Sequence, residues 1–302
     1  MTKFEFKKQP VGQKDMKVEK DKKKHFTPQV TITKEDIDSA LNQKRKDPVV
    51  FAFAGKMDTC KSGMLCDIIV NLPEGKVGVV FDLDHSIIPI IDEYYNDHRD
   101  KFLIINATGF GKDYKKGLLV GLAALEHVVK ERGSEIGLIA TEGMDRLYQR
   151  SFKITCKARG YDIEDLRFFG KGGETEFTPT DWMIRNDYNV EPFDLMYNYA
   201  AQLGINFIMT THTQDKINSR HEVVSPDEPI WYKTIPDYIS YLFITDRKEI
   251  GDVVRRSAIC KKARVKTDLF NEVFPIQEFN KKTKKVIWHS FYEQLKEKGL
   301  VK

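Results

Sequence analysis

The sequence predicts an α/β fold: a mostly parallel central sheet flanked by helices, with antiparallel strands towards the C-terminus. Three observations carry this. Apolar strands alternate with helical stretches from Val49 onward, which is the pattern of a parallel sheet covered by helices. The strand candidates 49–54, 76–83, 136–141 and 205–211 are almost wholly apolar, as strands buried on both faces must be. The later candidates, 239–245, 256–265 and 285–290, are richer in charge and follow one another without helices, which reads as an antiparallel or edge addition. A further strand is expected at 101–106, and helices at 62–71, 114–132, 144–159 and 190–203.

At 302 residues the chain can bury a full core. The expected organisation is a basic, disordered tail over 1–30, a short helix and linker over 31–47, a core over 48–275 and a strand and helix extension over 276–302. Thr33, followed by Glu35 and Asp36, is placed to cap the short helix through Leu41. Residues 1–28 carry nine lysines against four acids, so the net charge of +4 is concentrated there. Such a tail is either a solvated extension or a basic arm for a nucleic-acid backbone. No apolar run approaches the ~20 residues that span a bilayer, and the lysine-rich start has no apolar stretch behind it. The four cysteines show neither Cys-x-x-Cys nor disulfide-dense spacing, which argues against a zinc site and for a reducing, cytoplasmic setting, the host cytoplasm if the source is viral.

The most informative segment joins the first apolar strand to the first helix: Gly55, Lys56, Met57, Asp58, Thr59, Cys60, Lys61, Ser62, with Gly63 next. A strand, a glycine-started turn and Lys-Ser at a helix start is the arrangement that wraps a nucleoside triphosphate. Backbone N–H groups surround the phosphates, Lys61 reaches the outer ones and the Ser62 hydroxyl holds Mg²⁺. The pattern wants a second glycine where this chain has Cys60, a position that needs a conformation a side chain resists. A thiol at a helix N-terminus also invites a lowered pKa and ready alkylation; the alternative is a buried, inert thiol.

The strand 76–83 ends in Asp82 and Asp84 at alternate positions, which places both carboxylates on one face. They are either solvent-facing acids or a pair in which one supports the metal and the other polarises the attacking water. The strand 205–211 ends in Thr210, Thr211, His212, Thr213 and Gln214, groups suited to sensing a γ-phosphate, although a lone histidine is also an ordinary structural residue. Glu142, at the end of 136–141, is the nearest acid to where a metal-holding carboxylate is expected; a plain strand terminus explains it equally. On the basic strand, period-two spacing puts Lys262, Arg264 and Lys266 on one face, either as charges that protect an exposed edge or as a cationic finger for a neighbouring subunit's nucleotide. Two long connections, 167–189 and 213–235, are expected near the carboxyl ends of their strands, where ligands bind in open α/β sheets.

The order of these motifs resembles the RecA-fold phosphate-loop ATPases, the group of RecA/RadA recombinases, KaiC-like proteins and DnaB-type helicases, over about residues 48–270. Phe81-Asp82-Leu83-Asp84-His85 is similar to the RecA segment that carries the catalytic glutamate, so the resemblance gives Asp84 that role. Thr180-Asp181-Trp182-Met183-Ile184-Arg185-Asn186, before a helix and the 205–214 strand, resembles an Asp-Trp element of phage-encoded RecA-like single-strand annealing ATPases. Cys60 for glycine, Asp84 for glutamate and the 136–142 strand are departures. The resemblance implies a Mg·ATP-dependent ATPase acting on single-stranded DNA in recombination or replication, assembled as a homo-oligomeric ring or filament with no membrane association. It also makes His212 or Gln214 the γ-phosphate reporter. Lys216, Arg220, His221, Trp231 and Tyr232 are then the candidates for DNA contact in the loop that follows. A second resemblance, to the ParA/MinD family, rests on Gly55-Lys56 with Lys61 and on Asp82-Leu83-Asp84. It implies a nucleotide-dependent assembly or partitioning ATPase in which an early lysine reaches across a dimer.

Overall fold

The computed structural model describes residues 33, 47–107, 113–161, 177–218 and 222–301. The chain divides into the units Met1–Lys44 and Arg45–Lys302, and every described residue except Thr33 belongs to the second. The expectations for the tail, the short helix and the residues Arg220 and His221 therefore lie outside the described residues.

In chain order the elements are β1 (Val50–Gly55), α1 (Lys61–Val70), β2 (Val77–Asp82), α2 (Ile87–Tyr94), β3 (Phe102–Asn106), α3 (Tyr114–Arg132), β4 (Ile136–Glu142), α4 (Met144–Arg159), α5 (Pro179–Leu203), β5 (Asn206–Ile217), β6 (Val223–Pro229), β7 (Tyr241–Ile250), β8 (Val253–Ala263), β9 (Val273–Asn280), β10 (Val286–Trp288) and α6 (Phe291–Glu297). They build one sheet in the order β10-β9-β8-β7-β1-β5-β4-β2-β3, with β6 paired to β5. The six strands from β7 to β3 are parallel to their neighbours, and β8, β9 and β10 continue the sheet antiparallel. The predicted fold class is the observed one.

Strand alternation explains the two-sided core. Phe51 and Phe53 of β1 join a cluster with Met64, Leu65 and Ile69 of α1 and Phe291 of α6, while Val50 and Ala52 join one with Leu125 of α3, Leu147 of α4 and Phe193 of α5. Burial of that apolar surface on both faces is the main force holding the sheet, at roughly 25 cal/mol per Å². Because the central strands are parallel, their carboxyl ends lie side by side: Gly55 is in register with His212 on one neighbour and Thr245 on the other, and Asp82 with Glu142. Among the described residues no helix is long and apolar enough to cross a membrane.

Several boundaries differ from expectation. The helix expected at 190–203 begins at Pro179, because Thr178 and Asp181 form a reciprocal capping box and proline suits a first helical turn, so the Asp181-Trp182 element is helical rather than part of a connection. The expected loop 213–235 is in large part a hairpin, in which β5 runs on to Ile217 and returns as β6. β6 contains Pro226 and Pro229, which it tolerates because it pairs along one side only, as an edge strand does. β8 ends at Ala263, so Arg264 and Lys266 lie past the strand and the face predicted to carry three basic residues keeps only Lys262. α2 and β9 were not expected. β9 spans the anticipated boundary at 275, and the sheet continues through it.

Candidate functional site

The loop from Gly55 to Ser62 closes over the carboxyl end of β1. Gly55 is there because nothing larger fits: a β-carbon would lie 2.0 Å from the Thr245 hydroxyl and 2.8 Å from that of Thr59. Those two hydroxyls are 2.6 Å apart, and Thr59 also donates to the Lys56 carbonyl at 2.8 Å. Asp58 and Cys60 both have left-handed backbones, with φ of 60° and 67°. The glycine-like conformation foreseen at Cys60 is present, and a side chain bears it at a cost of about 1–2 kcal/mol. Lys61 is buried and its Nζ donates to the carbonyls of Gly55, at 3.1 Å, and Lys56, at 2.8 Å. Burial holds the Lys61 ammonium below its usual pKa, against the opposing pull of Glu142, Asp145 and Asp84.

Ser62 opens α1 and donates to Glu142 Oε1 at 2.5 Å; Ser86 donates to the same oxygen at 2.9 Å. Glu142 is buried, and burial raises its pKa although the hydroxyls of Ser62, Ser86 and Thr210 favour the charged form. Asp82, its register partner on β2, accepts the N–H groups of Asp84 and His85 on Oδ1, while Oδ2 is buried without a hydrogen-bond partner. Burial raises the Asp82 pKa as well.

The expectation that Asp82 and Asp84 share a face is corrected. β2 ends at Asp82, and the following turn, with His85 at φ 58°, carries Asp84 into the cleft while Asp82 stays beneath as the brace of the turn. Asp84 accepts from Arg146 Nε at 2.7 Å. Next to it, Asp145 takes both the His212 backbone N–H, at 3.3 Å, and Nδ1 of its ring, at 3.1 Å. Burial works to raise the Asp145 pKa, but the hydrogen bonds and charge of His212 prevail and hold it below the usual carboxylate range. Gly143, with φ of 88°, lets this turn pass close to Asp84: a β-carbon would sit 3.0 Å from that of Asp84.

The cleft has a volume of about 640 Å³ and is lined by Met57 to Gly63, Asp84, Glu142, Arg146, His212 and Arg256, among others. Of the residues expected at the site, Gln214 lies outside it, exposed on the hairpin where β5 has left the parallel sheet. Lys56 turns away to Asp215 and Asp227, at 3.8 and 3.4 Å. Lys262 and Arg264 lie at the other end of the sheet: Lys262 is opposite Leu242 near the start of β7 and donates to the Pro236 carbonyl, and the Arg264 N–H bonds to the Ser240 carbonyl. Of the two readings of the Cys60 thiol, the inert one is favoured: partial burial pushes its pKa up to about 11, outweighing Arg256 and Lys61.

Arg146, Asp145 and Arg256 were not expected. Arg256 grips Asp58 with both carboxylate oxygens, at 2.9 and 3.0 Å, and donates to its carbonyl at 3.0 Å. The signal for Asp145 and Arg146 was their place just past Gly143 at a buried strand's carboxyl end. For Arg256 it was the basic strand itself, whose period identifies a face but not which end meets the ligand.

The oxygens of Ser62, Glu142 and Asp82 suit Mg²⁺, which is held through one or two carboxylates together with phosphate and water oxygens. Among the described residues no set of three or more His, Cys, Asp or Glu side chains converges to hold a metal. The buried Asp82 Oδ2 is an oxygen that a hydrated cation at Ser62 and Glu142 would satisfy.

No protein-family model matches the chain, and no curated protein is similar to it. Among solved structures, a KaiC-like protein of the hyperthermophilic archaeon Pyrococcus horikoshii OT3 is similar at 13% identity, over 80% of this chain and 89% of that one, with a TM-score of 0.49.

Proposed function

We propose that the chain is a Mg·ATP-dependent, RecA-like ATPase that acts on single-stranded DNA in recombination or replication as a homo-oligomer. The observation that carries the nucleotide reading is the convergence of Lys61, Ser62 and Glu142 beneath a glycine-started loop at the carboxyl edge of a parallel sheet. Lys61 is held by two loop carbonyls, bonds it would exchange for β- and γ-phosphate oxygens. Ser62 and Glu142 would hold Mg²⁺, which supplies charge neutralisation at the transferred phosphoryl group. Asp84 lines the cleft and is the residue placed to orient the attacking water once Arg146 moves to phosphate. His212, fixed through Nδ1 by Asp145, presents its other nitrogen as γ-phosphate reporter and leads directly into the hairpin.

The DNA reading rests on that hairpin. Lys216 is exposed on it, and Trp231 and Tyr232, partly buried against the core, follow β6. Lys262 and Arg264 lie away from their own phosphate loop, so a role as a cationic finger would require the nucleotide of another subunit. The partitioning alternative has less support, since Lys56 pairs with Asp215 and Asp227 of its own chain. ATP turnover by wild type and Lys61→Ala, with and without single-stranded DNA, tests the proposal. DNA-stimulated turnover lost in the variant supports it; equal turnover in both, or no effect of DNA, removes the mechanism or the DNA role respectively.

A further inference from the structure

The cleft lining has two chemically different parts. One comprises the loop, Ser62, Glu142 and the guanidinium groups of Arg146 and Arg256. The other comprises Ile90 and Tyr94 of α2, Phe279 of β9, and Val286 and Trp288 of β10. The Trp288 indole is next to the loop: a β-carbon on Gly63, one residue past Ser62, would meet the ring at 3.7 Å. Tyr94 packs edge-on against the indole with ring centroids 5.5 Å apart, which fixes its plane while Trp288 stays 39% exposed. A small ligand divided in the same way, anionic along one stretch and flat and aromatic beyond it, is a nucleotide.

We propose that the β9–β10 hairpin is the nucleobase clamp of the site, with Trp288 as the stacking platform and Val286 and Phe279 completing the apolar wall; this rests on the phosphate-loop reading above. A half-exposed indole braced by a neighbouring ring is a preformed stacking surface, and stacking accepts any base because each has a π-face. The sheet's antiparallel extension then has a task at the site, because it carries the aromatic wall to α1.

The test is calorimetric titration of the full chain with Mg·ATP and with Mg·tripolyphosphate, which has the phosphates but no base. Wild type is expected to bind Mg·ATP more tightly than Mg·tripolyphosphate. Trp288→Ala is expected to weaken Mg·ATP by about five- to 150-fold, the range for loss of one base stack, and to leave tripolyphosphate unchanged. Trp288→Phe, which keeps a ring, is expected to retain most of the ATP affinity. Wild type binding both ligands equally, unchanged ATP affinity in Trp288→Ala, or equal weakening of both ligands overturns the clamp while leaving the phosphate site standing. Failure of wild type to bind either ligand overturns the phosphate-loop reading and the clamp with it.

Discussion

Ser62 donates its hydroxyl to Glu142 across 80 residues of sequence, and the bond ties the first turn of the helix after the Gly55–Ser62 loop to the end of a buried strand two places away from β1 in the sheet. Both groups are hidden from solvent. A buried carboxylate costs several kcal/mol unless compensated. Two hydroxyls on one of its oxygens compensate in part, which is why its pKa stays raised. A divalent cation would complete the compensation.

Magnesium binding should therefore depend on pH through Glu142. Its folded-state pKa lies above the ordinary carboxylate value, so it takes up a proton while exposed glutamates are still charged. The magnesium-dependent part of ATP affinity should fall with decreasing pH before the usual glutamate range is reached. Without ligand the sign reverses: stability present at low pH declines as pH rises from the unfolded to the folded pKa. Glu142→Gln should remove the Glu142 share of both dependences, leaving in the stability curve the share of Asp82, whose pKa burial also raises. Titration calorimetry and thermal melts across pH measure them, and a variant that keeps both in full rules Glu142 out.

Cys60→Gly should stabilise the protein by about 1 kcal/mol, by removing a side chain from a left-handed position. The gain is partly offset by the looser unfolded chain. In wild type, alkylation of Cys60 should be slow at neutral pH and accelerate towards pH 11, where its thiol titrates. Mass spectrometry of iodoacetamide-treated protein reads the rate; rapid labelling at pH 7 contradicts the raised pKa.

Gly143→Ala should destabilise by about 1–3 kcal/mol, combining a positive φ with a contact at the Asp84 β-carbon. It should also lower turnover, because the same turn sets Asp84 against Arg146. Chemical denaturation and a steady-state ATPase assay report the two effects.

Arg256→Ala should leave Asp58 to Arg247 alone and loosen the loop without opening the core, since both partners line the cleft. Loss of a guanidinium lining the cleft should weaken Mg·ATP by about tenfold, whereas melting should shift by only a few degrees. A large drop in stability with intact affinity would make Arg256 purely structural.

Lys216→Glu should weaken single-stranded DNA binding about equally for all sequences and reduce the slope of log affinity against log salt by about 1. Fluorescence anisotropy at several salt concentrations measures this, and an unchanged slope takes Lys216 off the DNA path.

Much of the fold was legible because the central strands are buried on both faces: 49–54, 76–83 and 136–141 each match an observed strand within a residue or so. The strand–turn–helix junction at Gly55–Ser62 was legible because local chain order alone builds it. What failed depended on long-range placement. Asp82 and Asp84 alternate in sequence, but the strand stops between them. Gln214 lies two residues past His212, yet β5 has left the parallel sheet by then. Arg256 and Lys262 belong to one basic strand, and only its antiparallel pairing with β7 decides that Arg256, not Lys262, meets the loop. Trp288 reaches Gly63 across most of the chain, which no local pattern records.

The central claim, that the Gly55–Ser62 loop closes on a polyphosphate with Lys61, Ser62 and Glu142, is tested most directly by titrating Mg·ATP into wild type and Lys61→Ala. The account predicts saturable heat for wild type and affinity about 100-fold weaker or undetectable in the variant, as for loss of a charge-assisted donor. Equal affinity in the two proteins, or no heat from wild type at millimolar nucleotide, would contradict it.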